Sequence, residues 1–395
     1  MEMTKQLQDE IIHFTQELVR CPGVSGDESN TASIVVQEMK KLGYDTVEVD
    51  QWGNVIGTIH GLKPGPVILF DGHMDVVPIQ TPELWKHDPY GAEIADGKIW
   101  GRGTSDMKGG LASVICSAAF MDREKIAGTI IVTASTVEEL MIGAGLQKVL
   151  ESRKVNAVMT CEPTGIHNIA FAGVGRTTVE MTVNGLTAHS SKPQLGDNAV
   201  YRAIEACEKI KNIPRRLDLI FGNEVIELVE IKSRPSPGNG FVPDYCWVLW
   251  ECRTLPGETE ESFIERFNDA IKDIDNPNKV EFKIGEIKIK SYTGEWIQYH
   301  DFLNAWVTPP ESAFRKLAIQ ALQEVNIEVN QVVFRACTNV NVSAGSMGIP
   351  SLIYGPGDLD LAHKPNENIE IDELLYSSKV YQKMMELIEF YKNQF

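Results

Sequence analysis

Four short apolar runs constrain this chain more than any other feature: "PVILF" (66–70), "TIIVTAS" (129–135), "AVMT" (157–160) and "SLIY" (351–354). Each is too short for a helix and lacks the alternation of a half-wet strand, so each reads as a strand covered on both faces. Helical patterns separate them. Leu7, Ile11, Phe14 and Leu18 share one face near the start, Ile34, Val35, Met39 and Leu42 a second, and Leu374, Ser378, Tyr381, Met385 and Ile388 a closing helix. The pattern predicts an α/β domain, a mainly parallel sheet sandwiched by helices.

The middle of the chain follows another rule. "RTTVEMTV" (176–183), "EVIELVEI" (224–231), "DYCWVLWECR" (244–253) and "KVEFKIGEIKIK" (279–290) alternate, while 197–211 and 259–274 have helical period. The order β-α-β-β-α-β is the ferredoxin-like plan. It predicts a smaller domain, residues 176–294, inserted into a discontinuous larger one made of 1–175 and 295–395. Glycines in "AGVGR" (172–176) would suit a hinge at its entrance.

A net charge of −18 argues against nucleic acid and anionic membranes as partners. It also requires that an anionic substrate be drawn in by local cations. No apolar run approaches the roughly 20 residues that cross a bilayer, and the acidic, amphipathic start is not a secretory signal. Seven scattered cysteines without a CxxC pair predict reduced thiols and a cytoplasmic protein.

Each buried strand is followed by an acidic residue or a histidine: His73 and Asp75, Glu138 and Glu139, Glu162, and His363. Sites in open α/β sheets form at the carboxyl ends of strands, so these side chains are expected to converge. Asp106, in the glycine-rich "GRGTSDMKGG", adds another carboxylate. Singly they read as surface or loop residues. Together they are donors suited to zinc, cobalt or manganese, and without a cation the carboxylates would repel one another. In His73-x-Asp75 the second carboxylate can accept the imidazole N–H and fix its tautomer. In Glu138-Glu139 an extended backbone would point the two side chains apart, one to metal and one to substrate. Asp106 can bridge two ions.

Competing motifs fail. "GRGTSD" has Asp106 where a dinucleotide site needs its third glycine, no P-loop occurs, and "GVSG" and "GSMG" are each one residue short of a serine elbow.

"GHMDVVP", "GRGTSDMKGG", "TVEEL", "CEP", "GLTAHSSKP" and "AHKPNE", in that order, resemble the metallopeptidase family of acetylornithine deacetylase, succinyl-diaminopimelate desuccinylase and aminoacylase. The resemblance spans essentially the whole chain. "SYTGEW" and "ACTN" further resemble its bacterial selenium-metabolism-linked hydrolases. It implies two divalent metal ions, zinc first and cobalt or manganese as alternatives. His73 and Glu162 would hold one, Glu139 and His363 the other, with Asp106 between them. Asp75 would orient His73, and Glu138 would be the general base. The resemblance also makes the inserted domain a dimerising lid. From it His189 would reach the partner's site, and Arg253 would hold a substrate carboxylate. Thr338 would line the pocket. Read from the residues alone, Arg253 is equally a surface charge, His189 a turn cap and Thr338 a plain loop hydroxyl. The family's lid asparagine is replaced by Gly240 with Asn239 beside it, its aspartate before the glutamate pair is Val137, and Glu251 stands two before Arg253 in place of Asp.

The reading this supports is hydrolysis of the amide C–N bond of a small N-acyl amino acid (acetyl, succinyl or carbamoyl), with a water between the ions and Glu138 as base. A dipeptidase or aminopeptidase is the alternative. A non-catalytic binding protein on the same scaffold would have lost Glu138 or a ligand, and none is lost.

Overall fold

The structure, a computed structural model, describes residues 3–395. They form two compact units. One comprises the chain through Gly173 with Lys288–Ile297 and Trp306–Phe395; the other is Val174–Ile287 with Gln298–Ala305.

The larger unit is built on nine strands: β1 (Thr46–Val49), β2 (Val55–His60), β3 (Lys63–His73), β4 (Ala127–Ser135), β5 (Ala157–Thr160), β6 (Asn168–Gly173), β7 (Trp306–Val307), β8 (Asn330–Phe334) and β9 (Ser351–Ile353). The sheet order is β1-β2-β4-β3-β5-β9-β6-β7, with β8 also paired to β6. The central β4, β3, β5 and β9 run parallel, and antiparallel pairings appear toward both edges. All four apolar runs are therefore central strands or run on from one, as predicted.

Alternation along β3 sorts its side chains to two faces. Ile68 and Phe70 join the main core with helices α1 (Lys5–Arg20), α2 (Ser29–Lys41), α3 (Gly109–Ala119) and, at the chain's end, Ile371–Tyr391. Leu69 packs on the opposite side with Leu146, Val149 and Leu150 of the helix Ala144–Glu151. Every residue of α3 but Ala119 is buried, so its sequence "GGLASVICSAA" is apolar all round. Each fully buried Leu, Ile or Val there contributes about 1.5–3 kcal/mol. Gly110 lets α3 approach the exit of β5, since a Cβ would lie 2.3 Å from the Cys161 carbonyl oxygen. α1 begins where Thr4 accepts the Leu7 N–H at 3.2 Å. Its buried stripe is the predicted one, Leu7, Ile11, Phe14 and Leu18. No helix among the described residues is long and apolar enough to cross a membrane. Cys21, Cys116, Cys161, Cys207, Cys246 and Cys252 are free thiols.

In the smaller unit an antiparallel sheet runs in the order Val225–Arg234, Tyr245–Arg253, Arg176–Asn184, Val280–Ile284. Helices Ala199–Lys211 and Glu260–Ile271 share its core. This is the ferredoxin-like arrangement. Tyr245–Arg253 alternates strictly between half-buried and buried. Asn198 caps the first helix, and Thr259 with Ser262 forms a capping box at the second. Gly175 meets a packing need: a Cβ would lie 1.8 Å from Thr254 Oγ1 and 2.2 Å from the Leu303 carbonyl oxygen.

Candidate metal centre

Strand register brings the candidate ligands together. His73 lies opposite Ser135, and Asp71 opposite Thr160, so β3 and β4 end level and neighbouring β5 ends beside them, two residues earlier. The chain leaving each delivers a donor: His73 itself, Glu138 and Glu139 just past β4, and Glu162 just past β5. Asp106 arrives from the loop before α3. Glu367 Oε1 accepts the backbone N–H of Ser105 (3.0 Å) and Asp106 (3.1 Å), and its Oε2 accepts from Arg102 at 2.5 Å. The buried Lys108 ammonium ties the same loop to the end of α1, donating to the carbonyls of Leu18 (3.1 Å) and Cys21 (2.8 Å).

Asp106 sits between the two imidazoles. Its Oδ1 is 3.0 Å from His73 Nε2 and its Oδ2 is 3.3 Å from His363 Nε2. Glu139 Oε2 is 3.0 Å from His363 Nε2. Glu162 Oε1 and Glu138 Oε2 lie 3.8 and 3.9 Å from His73 Nε2. Donor atoms of His73, Glu138 and Glu162 lie within 4.8 Å of one another, as do those of His73, Asp106 and Glu139. The carboxylates are buried, whereas the His363 side chain is 55% exposed, so the cluster opens to solvent at His363. All five predicted donors and the predicted base therefore meet in one place.

Two details differ from expectation. His73 Nδ1 hydrogen-bonds the backbone oxygen of Asp75 at 2.9 Å, with the carboxylate at 3.6 Å. The Asp75 carboxylate instead accepts the backbone N–H of Glu138 (3.1 Å) and Glu139 (3.0 Å) and the Ser25 hydroxyl (2.6 Å). The main chain fixes the tautomer, and Asp75 fixes the glutamate pair. Nor is that pair extended. Val137 just before it has φ of 58°, a left-handed conformation that costs a β-branched residue about 1–3 kcal/mol. Glu138 and Glu139 lie together in a turn closed by the Met141 N–H on the Val137 carbonyl (2.8 Å), and their carboxylates reach different imidazoles.

Thr338 is neither a plain loop hydroxyl nor a group facing open space. It is buried and donates to Glu162 Oε1 at 2.7 Å. Asn339 beside it donates to Asp71 Oδ2 (2.7 Å) and accepts the Gly143 N–H (2.9 Å). The other three predicted residues belong to the smaller unit and are engaged there. Arg253 pairs with Glu251 at 3.0 Å. His189 Nδ1 accepts the Ser191 N–H at 3.1 Å, the turn-cap arrangement. Asn239 holds φ of 38° beside Gly240, whose carbonyl accepts the Ser190 N–H at 2.7 Å.

Burial drives the Glu138 carboxyl well above its usual range, with Glu162 and Glu139 adding to the pull of burial and His73 opposing it. Burial and the Asp106 charge push Glu162 up to about 8. Burial disfavours charge on His73, but Asp106 and the surrounding glutamates hold it well above the ordinary value. Hydrogen bonds to Asp106 and Glu139 raise His363 to about 10. Protons thus stand in for missing positive charge. Glu138 Oε1 is buried without a hydrogen-bond partner among the described residues. Two imidazoles, four carboxylates and one unsatisfied buried oxygen fit a pair of divalent cations.

Cation loading should consequently be proton-linked. Glu162 and His363 carry protons at neutral pH in the metal-free chain, and ligation requires them bare. Affinity for zinc or cobalt should rise from about pH 6 to about pH 8, with protons released on binding. Calorimetry in buffers of different ionisation heat measures both quantities. An affinity flat across that range would contradict the ligand set.

A sequence model of peptidase family M20/M25/M40 matches residues 69–387, a span that begins in β3 and runs past His363. The chain belongs to this family. Among similar proteins, the uncharacterized protein YgeY of Escherichia coli K12 is 29% identical over 390 residues, covering 96% of this chain and 95% of YgeY. The fold matches aminopeptidase PepT of Bacillus cereus with a TM-score of 0.75 at 20% identity, covering 97% of this chain and 99% of that one. It also matches the Bacillus subtilis YXEP protein, a dinuclear metal binding peptidase from the M20 family, with a TM-score of 0.73 at 17% identity, covering 98% and 99% of the two chains. The protein is thus a hydrolase of the M20 metallopeptidase family with a candidate two-metal centre.

Several residues of this M20 centre were not singled out by sequence reasoning: Ser25, Glu28, Asn54 and Glu367. Glu367 closes the quoted "AHKPNE" and carried a signal. "VSGDES" before α2 reads as an ordinary helix start, and its role emerges only in three dimensions.

Proposed function

We propose that the protein is a metal-dependent amidohydrolase that cleaves the C–N bond of small N-acyl amino acids, acetyl, succinyl or carbamoyl. The observation that carries this reading is the buried, unpartnered oxygen of Glu138 beside five donors, at the edge where His363 opens to solvent. The ordered motifs quoted above support the acyl amino acid class. Two ions, zinc by donor set with cobalt or manganese as alternatives, would be held by His73 and Glu162 and by Glu139 and His363, with Asp106 between, and would polarise the carbonyl and supply a nucleophile at neutral pH.

The chain's own residues do the rest. Glu138 takes the proton of the attacking water and returns it to the leaving amine. Asp75 holds the Glu138 and Glu139 backbone in place during both transfers. Thr338 fixes one oxygen of Glu162. In this reading the smaller unit mediates a homodimer, His189 of one subunit supports the oxyanion in the other, and Arg253 and Asn239 meet the substrate carboxylate. His189 would then keep Nδ1 on Ser191 and offer Nε2.

A dipeptidase or aminopeptidase would use the same centre. The names of PepT and YXEP favour that second reading, because both are peptidases sharing the fold.

One screen tests both. Metal-stripped protein, with and without zinc, cobalt or manganese, is offered N-acetyl, N-succinyl and N-carbamoyl amino acids beside simple dipeptides, with products scored by mass. Metal-dependent release from an acyl class is the expected result. Turnover confined to dipeptides selects the peptidase. Two ions bound with no turnover of either rejects both substrate classes.

A further inference from the structure

Four consecutive backbone N–H groups lead into the glutamate pair, and each is held by a side chain from elsewhere. Thr136 donates to Asn54 Oδ1 (3.0 Å), Val137 to Glu28 Oε1 (2.9 Å), Glu138 to Asp75 Oδ1 (3.1 Å) and Glu139 to Asp75 Oδ2 (3.0 Å). The Thr136 hydroxyl also donates to Glu28 Oε1, at 2.7 Å, and Gly26 N–H donates to Glu28 Oε2 at 3.0 Å. Glu28 is fully buried. It stands at the N-cap of α2 but makes no capping bond there; its oxygens serve the turn after β4 instead. Ser25, from the same loop, donates to Asp75. One short segment, 25–28, therefore braces both halves of the turn.

The residue held by Glu28 is the strained one. Val137 has φ of 58° and is itself buried. A valine adopts that conformation only where its surroundings over-determine it. All three groups facing the Glu28 carboxylate are donors, and a carboxylate is the acceptor-only side chain that meets them. Glutamine would turn an N–H toward either Gly26 or the Thr136–Val137 pair.

We propose that Glu28 is a positioning residue of the metal centre: by accepting the Val137 N–H and the Thr136 hydroxyl it holds the left-handed residue from which the turn carrying Glu138 and Glu139 starts. The proposal rests on the reading of Glu138 as base and Glu139 as ligand.

Cobalt(II) titration of the full chain tests it without a substrate. Folding of each variant is checked by circular dichroism. Glu28→Gln should weaken binding of the second cobalt ion by about 10-fold, the size typical of a lost supporting contact, and shift its d–d absorption bands. The double variant Glu28→Gln/Val137→Gly should recover most of that affinity, because glycine takes a positive φ freely. A merely structural role for Glu28 predicts no such recovery. Wild-type cobalt affinity and spectrum in folded Glu28→Gln, or a failure of Val137→Gly to restore them, overturns the proposal. If Glu28→Gln does not fold, Thr136→Val carries the test: it removes one of the two bonds to Oε1 at constant volume, and an unchanged titration in it overturns the proposal equally. Glu139→Gln serves as control. If it too binds cobalt normally, the ligand assignment has failed, and the failure belongs to the underlying reading rather than to Glu28.

Discussion

Glu138→Gln keeps both ions and loses turnover, by about 10²–10⁴-fold in kcat, the range over which a positioned acid–base group acts. The substitution changes no volume and leaves the backbone bond to Asp75 intact. It removes a buried carboxylate whose Oε1 has no hydrogen-bond partner among the described residues. Glutamine can neither take a proton from water nor hand one to the leaving nitrogen, so the loss should fall on kcat and leave KM nearly unchanged. Metal content measured by plasma emission beside steady-state kinetics separates base from ligand. A variant that lost an ion along with its activity would make Glu138 a ligand, and one that stayed active would remove it from the mechanism.

Asp106→Ala should do the opposite and empty the site. Among the described residues Asp106 is the only carboxylate within 3.3 Å of both His73 Nε2 and His363 Nε2, so its removal withdraws a donor from both candidate ion positions. The backbone N–H groups of Ser105 and Asp106 would remain on Glu367, which keeps the loop in place and confines the damage to metal binding. The expected stoichiometry is below one ion per chain at concentrations that fill the wild type. Stabilisation by added metal, about 2.7 kcal/mol per ion at a hundredfold excess over Kd, should vanish from the melting curve. Two ions bound at wild-type affinity would show that Asp106 serves the imidazoles alone.

The parts of this molecule that were legible in the sequence are those written in short range. Continuous apolar runs gave buried parallel strands, and alternation gave the antiparallel insert, because side-chain period follows directly from which faces are covered. The donors were legible because strand ends in a parallel sheet point one way, and the register of His73 with Ser135 and Asp71 with Thr160 realises that rule. The extended backbone expected at Glu138-Glu139 gives way to a turn entered through Val137, whose positive φ runs against the preference of a β-branched side chain. Both the spacing and the family resemblance assign Asp75 to His73, yet its carbonyl takes the imidazole N–H and its carboxylate holds the Glu138 and Glu139 amides. Glu28 and Asn54 escaped notice because their partners are backbone N–H groups, which look alike in every sequence. Thr338 was undervalued for a related reason: a threonine in a loop gives no sign that Glu162, far earlier in the chain, lies against it.

The order in which the donors occur along the chain has a consequence for biosynthesis. His73, Asp106, Glu138, Glu139 and Glu162 all precede the smaller unit, and His363 follows it close to the C-terminal helix. Glu367, which clamps the Asp106 loop, comes later still. A chain emerging from the ribosome therefore carries most of the acidic cluster long before the histidine that answers Glu139 and the carboxylate that steadies Asp106. Through that interval the candidate metal centre lacks both His363 and the Glu367 clamp, so it can be completed only after the smaller unit has been made.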